Sequence, residues 1–145
     1  MQRQPSRDGP NWWVDRRVKL NREPARILIV DDFEIGALGL AEYLSLEGWE
    51  CRAAFHGRDA IAVAKVWRPH VIILDISMPN LDGVETAQAL RNDLLTKDSV
   101  IIAFTALGEH EVLRRGDGTE FDGYCQKGPI LDALTAFILT AFTRA

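Results

Sequence analysis

The stretch VIILDISMPNLDG, Val71–Gly83, ends an uninterrupted apolar run on a carboxylate and passes at once into turn residues. Val71, Ile72, Ile73 and Leu74 show no polar alternation, which is the pattern of a strand covered on both faces, as in a parallel sheet held between helices. A carboxylate at the end of such a strand is costly to bury, because desolvation disfavours its charged form. Asp75 is therefore expected to have partners that justify its position.

Working outward from this stretch, short β-branched runs alternate with segments of helical period. Strands are predicted at RILIV (26–30), ECRAAF (50–55), HVIILD (70–75), SVIIAF (99–104) and GYCQ (123–126). Helices are predicted between them and at the end, where FEIGALGLAEYLSLEG places Ala37, Leu40, Ala41 and Leu44 on one face and ILDALTAFILTAFTRA does the same with Leu134, Phe137, Ile138 and Ala141. Five such βα units predict an α/β fold, a doubly wound five-stranded parallel sheet. Its binding crevice lies at the carboxyl ends of the strands, where strand order reverses.

The chain has 145 residues, the size of one domain, and its 47% hydrophobic content is enough for one core. Its net charge of −4 disfavours a dedicated nucleic-acid binder. The charge is uneven. Residues 1–26 hold seven Arg or Lys against three Asp or Glu, and 27–145 hold ten against eighteen. Residues 1–25 are accordingly expected to be a basic, flexible extension and 26–145 the folded domain. Within the extension, NWWVDRRVKL joins two tryptophans to three basic residues, a composition able to dock on an acidic or apolar surface, the chain's own body included. Cys51 and Cys125 belong to no metal-ligand spacing and are expected to pack as small hydrophobes. No apolar segment approaches the roughly 20 residues that span a bilayer, and a cytoplasmic location is expected.

The residues that follow the strands are chemically selective: Asp31 and Asp32 after the first, Asp75 after the third, Thr105 after the fourth and Lys127 after the fifth. Taken singly, each has an ordinary explanation as a turn, cap or surface residue. Arriving together on one rim, three carboxylates repel, and a hard divalent cation such as magnesium relieves that repulsion while keeping open positions for phosphate oxygens. An ammonium and a hydroxyl complete a cradle for a phosphoryl group, with Asp75 as the nucleophile.

The motifs ILIVDDFE, VIILDISMPNLDG, VIIAFTAL and GYCQKGPI, in this order, resemble the receiver domain of two-component response regulators. The resemblance implies a flavodoxin-like fold with strand order 2-1-3-4-5. It makes Asp75 the phosphoacceptor, Asp31, Asp32 and the Ser77 backbone carbonyl further ligands of Mg2+ or Mn2+, and Lys127 the bridge to the phosphoryl group. Thr105 and Tyr124 match the switch pair. Implied partners are a sensor histidine kinase or histidine phosphotransfer protein, a downstream protein effector, and a phosphorylation-dependent dimer. The chain's own His56, His70 and His110 are not needed for transfer and read as surface or packing residues.

Three departures from the family pattern stand out. Gly128 separates Lys127 from Pro129, where the family has a direct Lys-Pro with a cis bond. Gly116 and Gly118 fall where the fourth helix should end, so a short or frayed helix is expected, each glycine costing a helix interior about 1 kcal/mol. Ser77 and Leu107 occupy positions that the family uses to tune phosphoryl hydrolysis. No effector segment follows the fifth helix, so a stand-alone receiver that catalyses only its own phosphorylation and dephosphorylation is expected, with a fragment of a hybrid kinase as the alternative. The alternatives are a haloacid-dehalogenase-like phosphatase, which needs a second Asp where this chain has Ser77; a receiver that binds partners without phosphorylation; and a flavodoxin-type flavin binder.

Overall fold

The computed structural model describes residues 10–20, 22–76, 83–115, 120–128 and 131–144. In chain order, two short strands, β1 (Asn11–Trp12) and β2 (Val18–Leu20), precede an alternating series. The series runs β3 (Arg26–Val30), α1 (Glu34–Ser45), β4 (Glu50–Ala54), α2 (Gly57–Trp67), β5 (Val71–Leu74), α3 (Gly83–Arg91), β6 (Val100–Thr105), α4 (Glu109–Arg115), β7 (Gly123–Gln126), α5 (Asp132–Leu139) and β8 (Phe142–Arg144).

The five strands of the series pair in parallel in the order β4-β3-β5-β6-β7, which is the expected 2-1-3-4-5. Successive side chains of a strand point to opposite faces, so each covered strand feeds two cores. Leu28, Val30, Ile72, Leu74, Ile101 and Ala103 pack on one face with Ala64 and Trp67 of α2 and Ala87 and Leu90 of α3. Ile27, Ile29, Val71, Ile73, Val100 and Ile102 pack on the other with Leu40 and Leu44 of α1 and Leu134 and Ile138 of α5. Fully burying one such aliphatic side chain stabilises the fold by about 1.5–3 kcal/mol, and both faces are built from them.

Three expectations are corrected. The sheet has six strands rather than five, because β1 adds antiparallel to β7, with Asn11 opposite Tyr124 and Trp12 opposite Gly123. β7 would otherwise be an edge strand with unpaired backbone groups, and the expected flexible extension supplies the strand that pairs with them. The last helix stops at Leu139 instead of continuing through Ala141. There the Thr140 hydroxyl donates back to the Phe137 carbonyl at 2.7 Å, competing with further helix, and Phe142–Arg144 find backbone partners in β2 instead. That pairing forms a separate two-stranded parallel sheet, the third difference from a single-sheet expectation.

The described part of the fourth helix has seven residues, Glu109–Arg115, and Gly116 and Gly118, on which its expected early end rests, lie outside the described residues. Gly83, the first residue of α3, lies so close to the backbone of Asp75 and Ile76 that a Cβ would collide with the Asp75 carbonyl oxygen and the Ile76 Cα. Glycine at this position lets α3 start directly against the end of β5, and its N–H donates to the Ile76 carbonyl at 3.0 Å.

Candidate functional site

Strand order reverses between β3 and β5, and the residues at their carboxyl ends face the same crevice. The backbone holds the two ends in register: Asp31 N donates to the Ala54 carbonyl at 3.1 Å and Asp75 N to the Val30 carbonyl at 2.9 Å. Asp31 and Asp75 are each only 8% exposed, whereas Asp32 is exposed. One ligand oxygen from each of Asp31, Asp32 and Asp75 lies within 4.8 Å of the others. The three carboxylates that the sequence placed at strand ends are thus brought together.

Lys127 reaches the same point from the end of β7. Its Nζ donates to Asp31 Oδ2 at 2.5 Å and to Asp75 Oδ2 at 3.2 Å, bridging two of the three acids. Burial pulls the ammonium down, but its hydrogen bond to Asp31 and the charges of Asp75 and Asp31 outweigh it, and Lys127 titrates above its ordinary range. Its backbone is tied to the neighbouring strand, with Lys127 N donating to the Thr105 carbonyl at 2.8 Å. The remaining Asp31 oxygen, Oδ1, accepts from Phe33 N at 3.0 Å, which turns the carboxylate toward the crevice.

Thr105 closes β6 and is 1% exposed. Its hydroxyl accepts from Leu107 N at 3.3 Å, and the Leu107 carbonyl in turn accepts from the Tyr124 hydroxyl at 2.6 Å. The two expected switch residues are therefore linked through one loop residue. Burial first, and the Glu109 charge second, push the Tyr124 hydroxyl up to about 12, so it stays a donor at neutral pH. Ser77 and Pro129 lie outside the described residues, as does the Gly128–Pro129 peptide.

Beside the acids, a cavity of about 310 Å3 has an apolar wall from Phe33, Leu40, Phe104 and Leu131. Chemically, the site is a buried acidic pair with a bridging ammonium, open on a mixed polar and apolar pocket. It offers hard oxygen donors for a cation and a fixed positive charge for an anion. The remaining titratable groups read as expected. His70 is a packing residue whose Nδ1 accepts from Arg26 N at 3.0 Å. Cys51 and Cys125 are free thiols that burial pushes up to about 11, with the Glu50 charge adding at Cys51.

Two features escaped the sequence reading. Asp122, 1% exposed, accepts from Arg91, from Arg16 and from Ile101 N, each at 2.8 Å. In EFDG it looks like an ordinary turn acid, and its three donors are brought to it only by the fold. The second is the pair Trp12 and Trp13, whose docking composition was visible in the sequence but whose place of docking was not.

The family model described as response regulator receiver domain matches residues 27–138. Among curated relatives, the phosphate regulon transcriptional regulatory protein PhoB of Pseudomonas aeruginosa is 38% identical over 101 residues, covering 70% of this chain and 44% of its own length. The chain spans less than half the length of the curated relatives it matches. Among solved structures, Vibrio cholerae chemotaxis protein CheY4 has a TM-score of 0.75 at 28% identity, with 81% of this chain and 98% of that one covered. The response regulator TrrA of Thermotoga maritima, solved in complex with Mg(2+)-BeF, has a TM-score of 0.72 at 32% identity over 81% of this chain and 99% of its own. A second TrrA structure, in complex with the histidine kinase ThkA, gives 0.71 at the same identity, covering 81% of this chain and 98% of that one.

Proposed function

This chain belongs to the response regulator receiver family, and from that premise we propose that Asp75 accepts a phosphoryl group from a phosphohistidine on a sensor histidine kinase or histidine phosphotransfer protein. The observation that carries the reading is the Lys127 ammonium bridging Asp31 and Asp75 at the point where strand order reverses. That a structural relative has been solved with a histidine kinase supports the class of donor.

In the transfer, an Asp75 carboxylate oxygen forms the new P–O bond as the P–N bond to the donor imidazole breaks. The electron pair of that bond returns to the imidazole nitrogen, which takes up a proton. Charge accumulates on the peripheral phosphoryl oxygens, and transfer of this kind is catalysed by positioning and charge neutralisation rather than by further covalent chemistry. Lys127 supplies one fixed positive charge and Thr105 a hydroxyl donor. Asp31, held by Phe33 N, keeps Lys127 in place.

The donor set fits magnesium, with manganese as its substitute: three carboxylates with ligand oxygens within 4.8 Å of one another, two of them buried. Asp31, Asp32 and Asp75 would hold the ion, with the Ser77 carbonyl as the further expected ligand. When bound it supplies charge neutralisation beside the phosphoryl oxygens. Phosphorylation then acts through Thr105 and Tyr124 on the surface formed by α4, β7 and α5, which a downstream protein or a second copy of the chain reads. The chemistry is confined to the chain's own aspartate. A phosphohistidine donor of this kind supports a cytoplasmic location. Separately, no helix of the described residues is long and apolar enough to cross a membrane.

Mass spectrometry after incubation with magnesium and a small phosphodonor tests the reading. One phosphoryl adduct is expected on the native chain and none on Asp75→Asn. An equal adduct on both, or none on either, would refute the assignment.

A further inference from the structure

The leader covers the face through which a receiver signals, and it touches all three elements of that face. On α5, the Trp12 ring stacks on Phe137 at a centroid distance of 4.1 Å and its Nε1 donates to Thr140 Oγ1 at 2.8 Å. On β7, Trp13 lies parallel to Tyr124 at 5.8 Å. At the start of α4, Glu109 accepts from Trp13 Nε1 at 2.7 Å and from Asn11 Nδ2 at 3.2 Å. Gly123 makes the fit possible, since a Cβ there would meet the Trp12 ring at 2.8 Å and Phe137 at 2.9 Å.

This leader is also linked to the phosphoacceptor site. Thr105 holds Leu107 N, Leu107 holds the Tyr124 hydroxyl, Tyr124 stacks on Trp13, and Trp13 bonds Glu109, two residues beyond Leu107. A phosphoryl group on Asp75 adds acceptors beside Thr105. If its hydroxyl is drawn toward them, the 105–109 loop follows and carries the Leu107 carbonyl and Glu109 away from Tyr124 and Trp13. The leader then loses its stack and its carboxylate together. The grip of residues 10–14 is slight, because β1 has two residues and both tryptophans are only partly buried, while Arg16 on Asp122 and β2 on β8 keep the chain behind them anchored. Short strand pairings of this kind open at little cost.

We propose that residues 10–14 are an internal ligand of the α4–β7–α5 face, docked by strand addition to β7 and released when Asp75 is phosphorylated. The proposal rests on the phosphoacceptor reading above. Strand addition draws its affinity from main-chain hydrogen bonds and its specificity from side-chain pockets. The occupant that replaces the leader is therefore an extended segment of a partner protein that presents an aromatic side chain over Tyr124 or Phe137.

Coupling between two sites is reciprocal. If phosphorylation releases the leader, weakening the leader must favour the phosphorylated form by the same factor. An aromatic pair of this geometry corresponds to roughly a two- to twelve-fold change in an equilibrium constant. The experiment uses the full chain with beryllium fluoride and magnesium as a stable phosphoryl mimic. It compares the native chain with Trp13→Ala, Trp13→Phe and Asp75→Asn. Amide exchange is followed at Trp13 and Val14, whose N–H groups donate to the Asp122 carbonyl at 2.8 and 3.1 Å.

The expected result is faster exchange at these two amides with the mimic, mimic binding roughly two- to twelve-fold tighter in Trp13→Ala, and a smaller gain in Trp13→Phe, which keeps a stacking ring. Mimic binding that depends on Asp75, but leaves leader exchange unchanged and is equally tight in Trp13→Ala, would overturn the coupling and leave the phosphoacceptor reading standing. Binding that is equal in Asp75→Asn, or absent from the native chain, would overturn both.

Discussion

Replacing Asp122 by Ala tests the part of the molecule that holds the signalling strands together. The carboxylate is buried between β6 and β7, and its three donors come from separate elements: Arg91 at the end of α3, Arg16 of the leader, and the Ile101 amide of β6. Removing it leaves the Ile101 N–H without its acceptor, which costs about 1–3 kcal/mol for a buried donor. It also strips the carboxylate from a guanidinium whose side chain is 16% exposed. Breaking a buried pair by removing one partner costs about 3–5 kcal/mol. Here the loss is moderated, because Arg91 keeps the carbonyls of Lys97, Ser99 and Glu120. The two effects overlap at one residue, and a net loss of about 3–4 kcal/mol is expected, a large share of the 5–15 kcal/mol of a typical domain. For a chain of this length that lowers Tm by roughly 10 °C. Asp122→Asn keeps an acceptor for Ile101 N and should lose only about half as much. Urea unfolding followed by circular dichroism reads both values. A loss below about 1 kcal/mol for Ala, or equal losses for Ala and Asn, would show that Asp122 is not the keystone described.

Two further perturbations probe the site and the opposite end of the sheet. Lys127→Ala removes the ammonium that lies between Asp31 and Asp75. Without divalent cation the variant should be about 1 kcal/mol less stable, and magnesium should raise its Tm by more than it raises the native value, because the cation no longer competes with an ammonium; thermal melts with and without magnesium decide it. His70 titrates below its ordinary range because burial, then the Arg26 and Arg22 charges, oppose the imidazolium. With the folded value depressed, the unfolded chain binds the extra proton first. The stability His70 contributes is therefore fully present above about pH 6.5, the unfolded value, and is lost as pH falls toward the folded one. His70→Asn should flatten the stability profile between pH 7.5 and 5.5, and an unchanged slope would remove His70 as its cause.

The central strands β3, β5 and β6 were legible because both their faces are buried and their runs are continuously apolar; ECRAA, a partly exposed edge strand, and GYCQ were placed by their position in the alternation. GYCQ was found at its observed bounds, 123–126, and RILIV at 26–30. The acid cluster was legible for a related reason, since a polar residue that ends an apolar run has only the rim of the sheet to occupy. The leader was not, because two tryptophans among basic residues state that something will be covered without stating what. The early end of α5 was hidden as well. Its apolar spacing continues through Ala141, and Ala141 is indeed buried, but its carbonyl accepts from Val18 N at 2.9 Å, beside a strand instead of in a helix.

Local pattern determined the alternation of strands and helices, the two cores and the set of residues at the strand ends, since each follows from periodicity and from the cost of burying charge within a short window. The tertiary structure alone decided which carboxylates Lys127 bridges, which donors enclose Asp122, and where Trp12 and Trp13 come to rest. Those contacts join residues roughly 20 to 130 positions apart, farther than the periodicity of one strand or helix reaches. They form only once the sheet has brought an edge strand, a helix end and a distant segment to one place.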